Sequence, residues 1–149
     1  MRAVEASVDV PMSPQEVLDV FLKQEHLKAW WGVEHSLIEP RKGGLYTLVW
    51  RNESGSIEYV TAGVIAEYLP ACQLKIGNMV YVSSQRPVLG PMELLVLTTP
   101  QEDHTTRLTV VQSGYQTSPD WEDLYKDVQK KWPEVLRTIS TYLHSISIG

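Results

Sequence analysis

A chain of 149 residues, 43% hydrophobic and 21% charged, carries enough apolar material to close a sizeable core, and one unit is expected over residues 1–149. The formal net charge is −5 and Lys and Arg form no run, which excludes the concentrated basic face that nucleic-acid binding requires. A single cysteine, Cys72, excludes an internal disulfide and is expected as a small, partly buried apolar residue.

Ala3–Val10 reads as a first strand, with Val4, Ala6, Val8 and Val10 on one side. Met12-Ser13-Pro14-Gln15-Glu16-Val17 then starts a helix. Ser13 caps it, Pro14 takes the first helical position, Glu16 closes a capping box and Met12 can staple to Val17. Val17, Leu18, Val20 and Phe21 give this helix its apolar residues. A second short helix is expected over Gln24–Trp30, ending near Gly32, followed by a weak strand around Ser36–Glu39. Pro40–Gly44 makes a turn, because paired glycines tolerate positive φ. Leu45–Arg51 is a clear strand that places Tyr46, Leu48 and Trp50 on one face. A hairpin loop over 52–56 leads to a strand at Ile57–Tyr68, interrupted at Gly63 by a bulge or by the close approach of another element. Gln73–Ser83 is a further strand, Ser84–Pro91 a loop, and Met92–Thr99 with Thr105–Tyr115 a final hairpin.

From Ser118 the apolar period changes from two to three and four. Trp121, Leu124, Tyr125, Val128, Trp132, Val135, Leu136, Ile139, Leu143 and Ile146 form one long stripe. Ser118 is the N-cap, Pro119 the first helical residue, and Asp120, Glu122 and Asp123 complement the helix dipole. A helix of this kind must lie across something apolar, and the preceding strands supply the surface. Pro133 removes one backbone donor, so a kink near Lys130–Trp132, or a short helix abutting a longer one, is expected.

Met1–Val10 alternates instead of forming a hydrophobic leader, and the apolar run Leu94–Leu97 is far too short to cross a bilayer. A cytoplasmic protein without membrane insertion is the expectation. The histidines His26, His35, His104 and His144 are scattered, without the spacing of a metal site, and no Gly-x-Ser-x-Gly elbow exists. No cofactor, metal or catalytic residue is therefore assigned. Asp120, Glu122, Asp123 and Asp127 make an acidic helix face, solvated or available to a basic partner. Five Trp and seven Tyr stand against one Phe, a choice that suits surfaces partly apolar and partly wet.

Several segments together resemble one known family. They are Ser13–Phe21, Trp30-Trp31, Gly43-Gly44-x-Tyr46, Gly63-x-Ile65-x-Glu67 before Pro70, Thr106-x-Leu108-x-Val110-x-Gln112-x-Gly114, and Lys131-Trp132 with Leu136 and Leu143. In this order they resemble the SRPBCC superfamily and, within it, the family related to activators of the heat-shock chaperone ATPase. The resemblance spans nearly the whole chain and implies an α+β helix-grip (START/Bet v-like) fold. That fold is a curved antiparallel sheet of six to seven strands wrapped on a long C-terminal helix, with two short helices after the first strand. Two residues depart from the family pattern. Gln112 stands where many relatives carry His, and Lys131 replaces the glycine usual before the terminal tryptophan, with Pro133 following. The eukaryotic activators that give the family its name also carry an amino-terminal domain that this sequence does not match.

A long helix gripping a curved sheet leaves a gap, and such a gap is a natural small-molecule site. The strand parity implied by the resemblance lines it with Tyr46, Leu48, Trp50, Leu108, Val110, Gln112, Trp121, Tyr125 and Val128, with Trp30 or Trp31 near a rim. A one-residue slip would reverse the set, and the alternative is a solid core. Gln112 must be hydrogen-bonded by protein, water or ligand, a neighbouring strand or a tyrosine hydroxyl being the plain partners. Arg107 and Glu93 stand on adjacent strands and can pair across them. The expected function is non-enzymatic binding of an apolar or aromatic small molecule, by a monomer or homodimer. The alternatives are a protein-partner module serving a chaperone, and a polyketide-cyclase-like enzyme using Tyr59, Tyr81 or Glu93.

Overall fold

The computed structural model describes residues 2–147, so Met1 and Ile148-Gly149, the ends of the expected 1–149 unit, lie outside the described residues. Strand β1 (Ala3–Val10) is followed by helices α1 (Pro14–Asp19) and α2 (Gln24–Trp31). Strands β2 (His35–Ile38), β3 (Leu45–Arg51), β4 (Ile57–Leu69), β5 (Gln73–Ser83), β6 (Arg86–Pro100) and β7 (Thr106–Ser113) come next, and α3 (Pro119–Ser147) closes the chain. The strands form one seven-stranded sheet in the order β1-β7-β6-β5-β4-β3-β2, with antiparallel neighbours throughout. The sheet curves around α3, which is the helix-grip fold. Among the described residues no helix is long and apolar enough to cross a membrane.

The local signals in the sequence act as expected. Ser13 Oγ accepts from the Glu16 backbone N–H while Glu16 Oε1 accepts from the Ser13 N–H, both at 3.3 Å, closing the capping box. Val17, Leu18, Val20 and Phe21 are then fully buried. Helix α2 ends on Gly32, whose φ of 72° is the left-handed C-cap that glycine adopts without penalty. Ser118 Oγ accepts from the Trp121 N–H at 3.4 Å at the start of α3.

Helix α3 runs unbroken from Pro119 to Ser147, so the expected pair of abutting helices does not form. Pro133 and Gln129, whose carbonyl loses its helical donor, are both exposed, and water can take that acceptor. The buried stripe comprises Trp121, Leu124, Val128, Trp132, Val135, Leu136, Ile139 and Leu143. Ile146 departs from the expected stripe and is exposed, because the helix has run past the sheet.

Three further expectations need correction. Residues 84–91 are not a loop: β6 starts at Arg86, behind a tight turn, and reaches Pro100 as the longest strand of the sheet. Its prolines and glycine are accommodated by register shifts against β5 between Ile76/Met79, Met79/Tyr81 and Tyr81/Ser83, where ladder donors are not required. Cys72 is exposed, since it sits in the turn between β4 and β5 instead of on an inward strand position. Arg107 and Glu93 do not pair. Arg107 lies opposite Asp9 on β1 and bonds to it at 3.0 Å, while Glu93 is held by Lys75 at 3.0 Å on the outer face.

The expected irregularity at Gly63 belongs to a line of irregularities across three strands. The β4 register shifts between Ala62 and Val64. A Cβ at Gly63 would lie 2.7 Å from Ile76 Cγ2 and 2.9 Å from the Gly77 carbonyl oxygen. On β5 the buried positions switch from Leu74 and Ile76 to Met79, with Asn78 at a φ of 49° between them. On β6 they switch from Leu89 to Met92, Leu94 and Val96 across Gly90, where a Cβ would press on the Met79 carbonyl oxygen at 2.9 Å. Bulges bend strands and sharpen twist. Side by side, they crease the sheet around the helix.

Candidate functional site

The crease and α3 frame a hollow of about 260 Å³ that is partly open to solvent. Its floor is buried: Tyr46 and Leu48 from β3, Thr61 from β4, Met79 from β5, Leu94 from β6 and Gln112 from β7. Half-exposed Trp31, Trp50, Tyr59 and Tyr81 rise toward the mouth. Helix α3 roofs the space with Val128, Lys131, Trp132 and Val135.

Trp31 is the hub of the aromatic wall. It stacks on Trp30 with centroids 4.7 Å apart, meets Trp50 edge-on at 5.1 Å, and lies 6.0 Å from Trp132. One indole thereby joins α2, β3 and α3. The polar edges of its neighbours are held: Trp30 Nε1 donates to the Val20 carbonyl at 2.8 Å and Trp50 Nε1 to the Trp31 carbonyl at 3.1 Å. Large rings fixed this way present apolar surface without losing rotamer freedom on binding.

Gln112 is buried, with 6% of its surface exposed. Its Oε1 accepts from Trp132 Nε1 at 2.8 Å, and its amide nitrogen faces Met92 Sδ at 3.5 Å. Its partners are thus the helix tryptophan and, as expected, a side chain of the neighbouring strand β6; no tyrosine hydroxyl is involved. Tyr46 is also buried, and its hydroxyl donates to the Phe21 carbonyl at 2.6 Å; burial raises its pKa far above the usual phenol value. Burial, with the neighbouring Tyr59 second, pushes Tyr81 up to about 12. Both phenols are therefore hydrogen-bond donors near neutral pH.

Of the residues expected along the hollow, Trp31, Tyr46, Leu48, Trp50, Gln112 and Val128 meet around it. The others lie elsewhere. Trp30 is buried behind Trp31, next to Phe21 at 5.5 Å. Leu108 and Val110 share the inward face of β7 with Gln112 but belong to the packed core further along the strand. Trp121 and Tyr125 occupy the first turns of α3, where they form a separate cluster around Tyr115 at 6.4 and 5.0 Å, with the Arg2 guanidinium 4.5 Å above the Tyr125 ring. Residues not foreseen as lining complete the wall: Thr61, Met79, Leu94, Lys131, Trp132 and Val135, with Tyr59 and Tyr81, which had been considered only as catalytic groups. Alternation alone could not find Met79 and Tyr81, because the β5 bulge reverses that strand's parity just before them.

The acidic face of α3 is partly engaged, Glu122 by Arg2 at 2.9 Å and Asp127 by Arg86 at 3.0 Å. Among the described residues no group of three or more His, Cys, Asp or Glu is placed to hold a metal ion.

A creased antiparallel sheet gripping a long helix over an aromatic-lined hollow defines a protein of the helix-grip class. The family model for Activator of Hsp90 ATPase homolog 1-like protein matches residues 11–144, and the chain belongs to that family, within the SRPBCC superfamily. No curated protein sequence matches it significantly. Solved structures share the fold at low identity. A protein from Mesorhizobium loti superposes with a TM-score of 0.74 at 17% identity, covering 97% of this chain and 98% of that one. The Aha1 dimer from Colwellia psychrerythraea gives 0.70 at 15%, covering 96% of each. An AHSA1 protein from Silicibacter pomeroyi gives 0.71 at 15%, covering 96% of this chain and 98% of that one.

Proposed function

We propose that this protein binds a compact apolar or aromatic small molecule between its sheet and α3. The observation that carries this reading is the hollow itself: about 260 Å³, lined mostly by apolar groups and walled by Trp31, Trp50, Tyr59 and Tyr81. Pockets for drug-sized ligands span roughly 300–1,000 Å³, so the occupant is one of one or two rings instead of a long lipid. The interior polar groups of Gln112 and Tyr46 already bond to protein, which favours an apolar body for the ligand. A cytoplasmic location belongs to this reading, and so does a monomer or homodimer, the dimeric Colwellia relative supporting the latter.

Native mass spectrometry of the protein purified from its own host tests the proposal. A retained small molecule supports it. No retained molecule, together with no calorimetric response to neutral naphthalene derivatives, counts against it.

A second reading, a protein that serves a chaperone ATPase, is favoured by the family's description alone. Stimulation of a chaperone's ATP turnover by the purified chain is its test. The cyclase-like alternative keeps Tyr59 and Tyr81 at the hollow but loses Glu93, which pairs with Lys75 outside it.

A further inference from the structure

The hollow carries one charge that an apolar ligand leaves unused. Lys131 lines it from α3, with its ammonium 5.5 Å from the centroid of the Tyr59 ring. Among the described residues Lys131 forms no ion pair. The carboxylates that face it are otherwise placed. Asp127, one turn earlier on α3, is taken by Arg86 Nη2 at 3.0 Å. Glu58, beside Tyr59 on β4, acts on Lys131 only through its longer-range field.

Arg86 is the second cation of this rim, with Nη2 on Asp127. Its Nη1 is buried with no hydrogen-bond partner among the described residues, and its charge is felt by both Tyr81 and Lys131. Burial, the largest influence on Lys131, lowers its pKa against the opposing fields of Asp127 and Glu58. A cation at the mouth of an aromatic-lined hollow suits an amphiphilic anion: the ring enters and the charged end stays at the rim, where a charge-assisted hydrogen bond forms in partly dry surroundings.

Resting on the small-molecule reading above, we propose that the ligand is an aromatic or apolar carboxylate whose anionic group pairs with Lys131 while its body fills the hollow against Trp31 and Trp50. Tyr59 and Tyr81 share that wall, and their hydroxyls can donate to the same carboxylate.

Calorimetric titration with 2-naphthaleneacetate and its neutral counterpart 2-naphthaleneacetamide, near neutral pH, tests this. The acid is expected to bind at least about 10-fold more tightly than the amide, the scale of one charge-assisted hydrogen bond. Lys131→Met should lower the acid's affinity at least about 10-fold and the amide's by much less, so that the preference collapses, while Lys131→Arg should keep most of it. The Lys131 ammonium lies against apolar groups but most of the residue is exposed, so the melting temperatures of both variants should stay close to the parent's. Equal binding of acid and amide overturns the anion proposal and leaves the small-molecule reading standing. An acid preference that survives in Lys131→Met overturns the role of Lys131. Binding of neither probe overturns both readings together.

Discussion

Trp132, on the helix that roofs the hollow, donates its indole N–H to Gln112, on the last strand, at 2.8 Å, and both side chains are buried. The two side chains couple the grip of the helix to the wall of the site. Removing either one leaves a buried polar atom unpaired, which costs about 1–3 kcal/mol. Gln112→Leu and Trp132→Phe are each expected to destabilise the fold. Because they break the same bond, the double variant should cost less than the sum by about 1 kcal/mol. Urea denaturation of the four proteins in a double-mutant cycle measures this.

Two buried tyrosines should respond to loss of the hydroxyl with opposite signs. Tyr46 donates to the Phe21 carbonyl at 2.6 Å, so Tyr46→Phe strands that acceptor and should cost about 1–3 kcal/mol. The Tyr115 hydroxyl is buried without a partner among the described residues, so Tyr115→Phe should be neutral or stabilising by up to about 1 kcal/mol. Thermal and urea unfolding of the two variants separate these outcomes.

Stability should fall steeply in alkali. Burial raises the phenols of Tyr46, Tyr81 and Tyr115 above the ordinary value of 10.0, Tyr81 to about 12. The fold favours their neutral forms, so the unfolded chain releases these protons first as pH rises. Stability present at neutral pH is therefore lost from about pH 10 upward, through about pH 12 for Tyr81. Melting temperatures measured between pH 9 and 12 should show the decline, and Tyr81→Phe should make it shallower.

Gly63→Ala should be among the more damaging small substitutions. The added methyl would press on Ile76 and on the Gly77 backbone at 2.7 and 2.9 Å, and the backbone cannot swing aside as a side chain can. Overpacking of this kind costs about 1–3 kcal/mol, read as a lower urea midpoint. Gly55→Ala is the control for glycine at an open turn: nothing lies within 4 Å of its Cβ position, and any loss there reports the φ of 87° alone.

Filling the hollow should end ligand binding without unfolding the protein. Val128→Phe places a ring in the roof, opposite the β3 wall. The affinity for 2-naphthaleneacetamide should fall at least about 10-fold, since the lost contact area is worth more than 1.4 kcal/mol. A calorimetric titration, with a thermal melt of the same sample, checks both halves of the expectation.

The order of elements was legible because its signals are local. Ser13 with Glu16, Gly32, and the change of period at Ser118 each act within a few residues. The inward parity of β3 and β7 came from the family resemblance, not from alternation alone, and Tyr46, Leu48 and Gln112 follow it. What alternation could not disclose is a strand that changes face midway. Asn78 and Gly90 reverse β5 and β6, which hid Met79 and Tyr81 from the lining and made the start of β6 read as a loop. Lys131 stands out in the sequence as a departure from the family pattern, but its place among the lining residues depends on where the helix lands. The Gln112–Trp132 bond likewise joins residues whose meeting is fixed by packing.

The crease running through Gly63, Asn78 and Gly90 bends the strands through their main chain. None of these three residues is among those lining the hollow. Curvature and lining are thereby separable properties of this scaffold: the side chains can be retuned toward another cargo while the arc of the strands beneath them stays as it is.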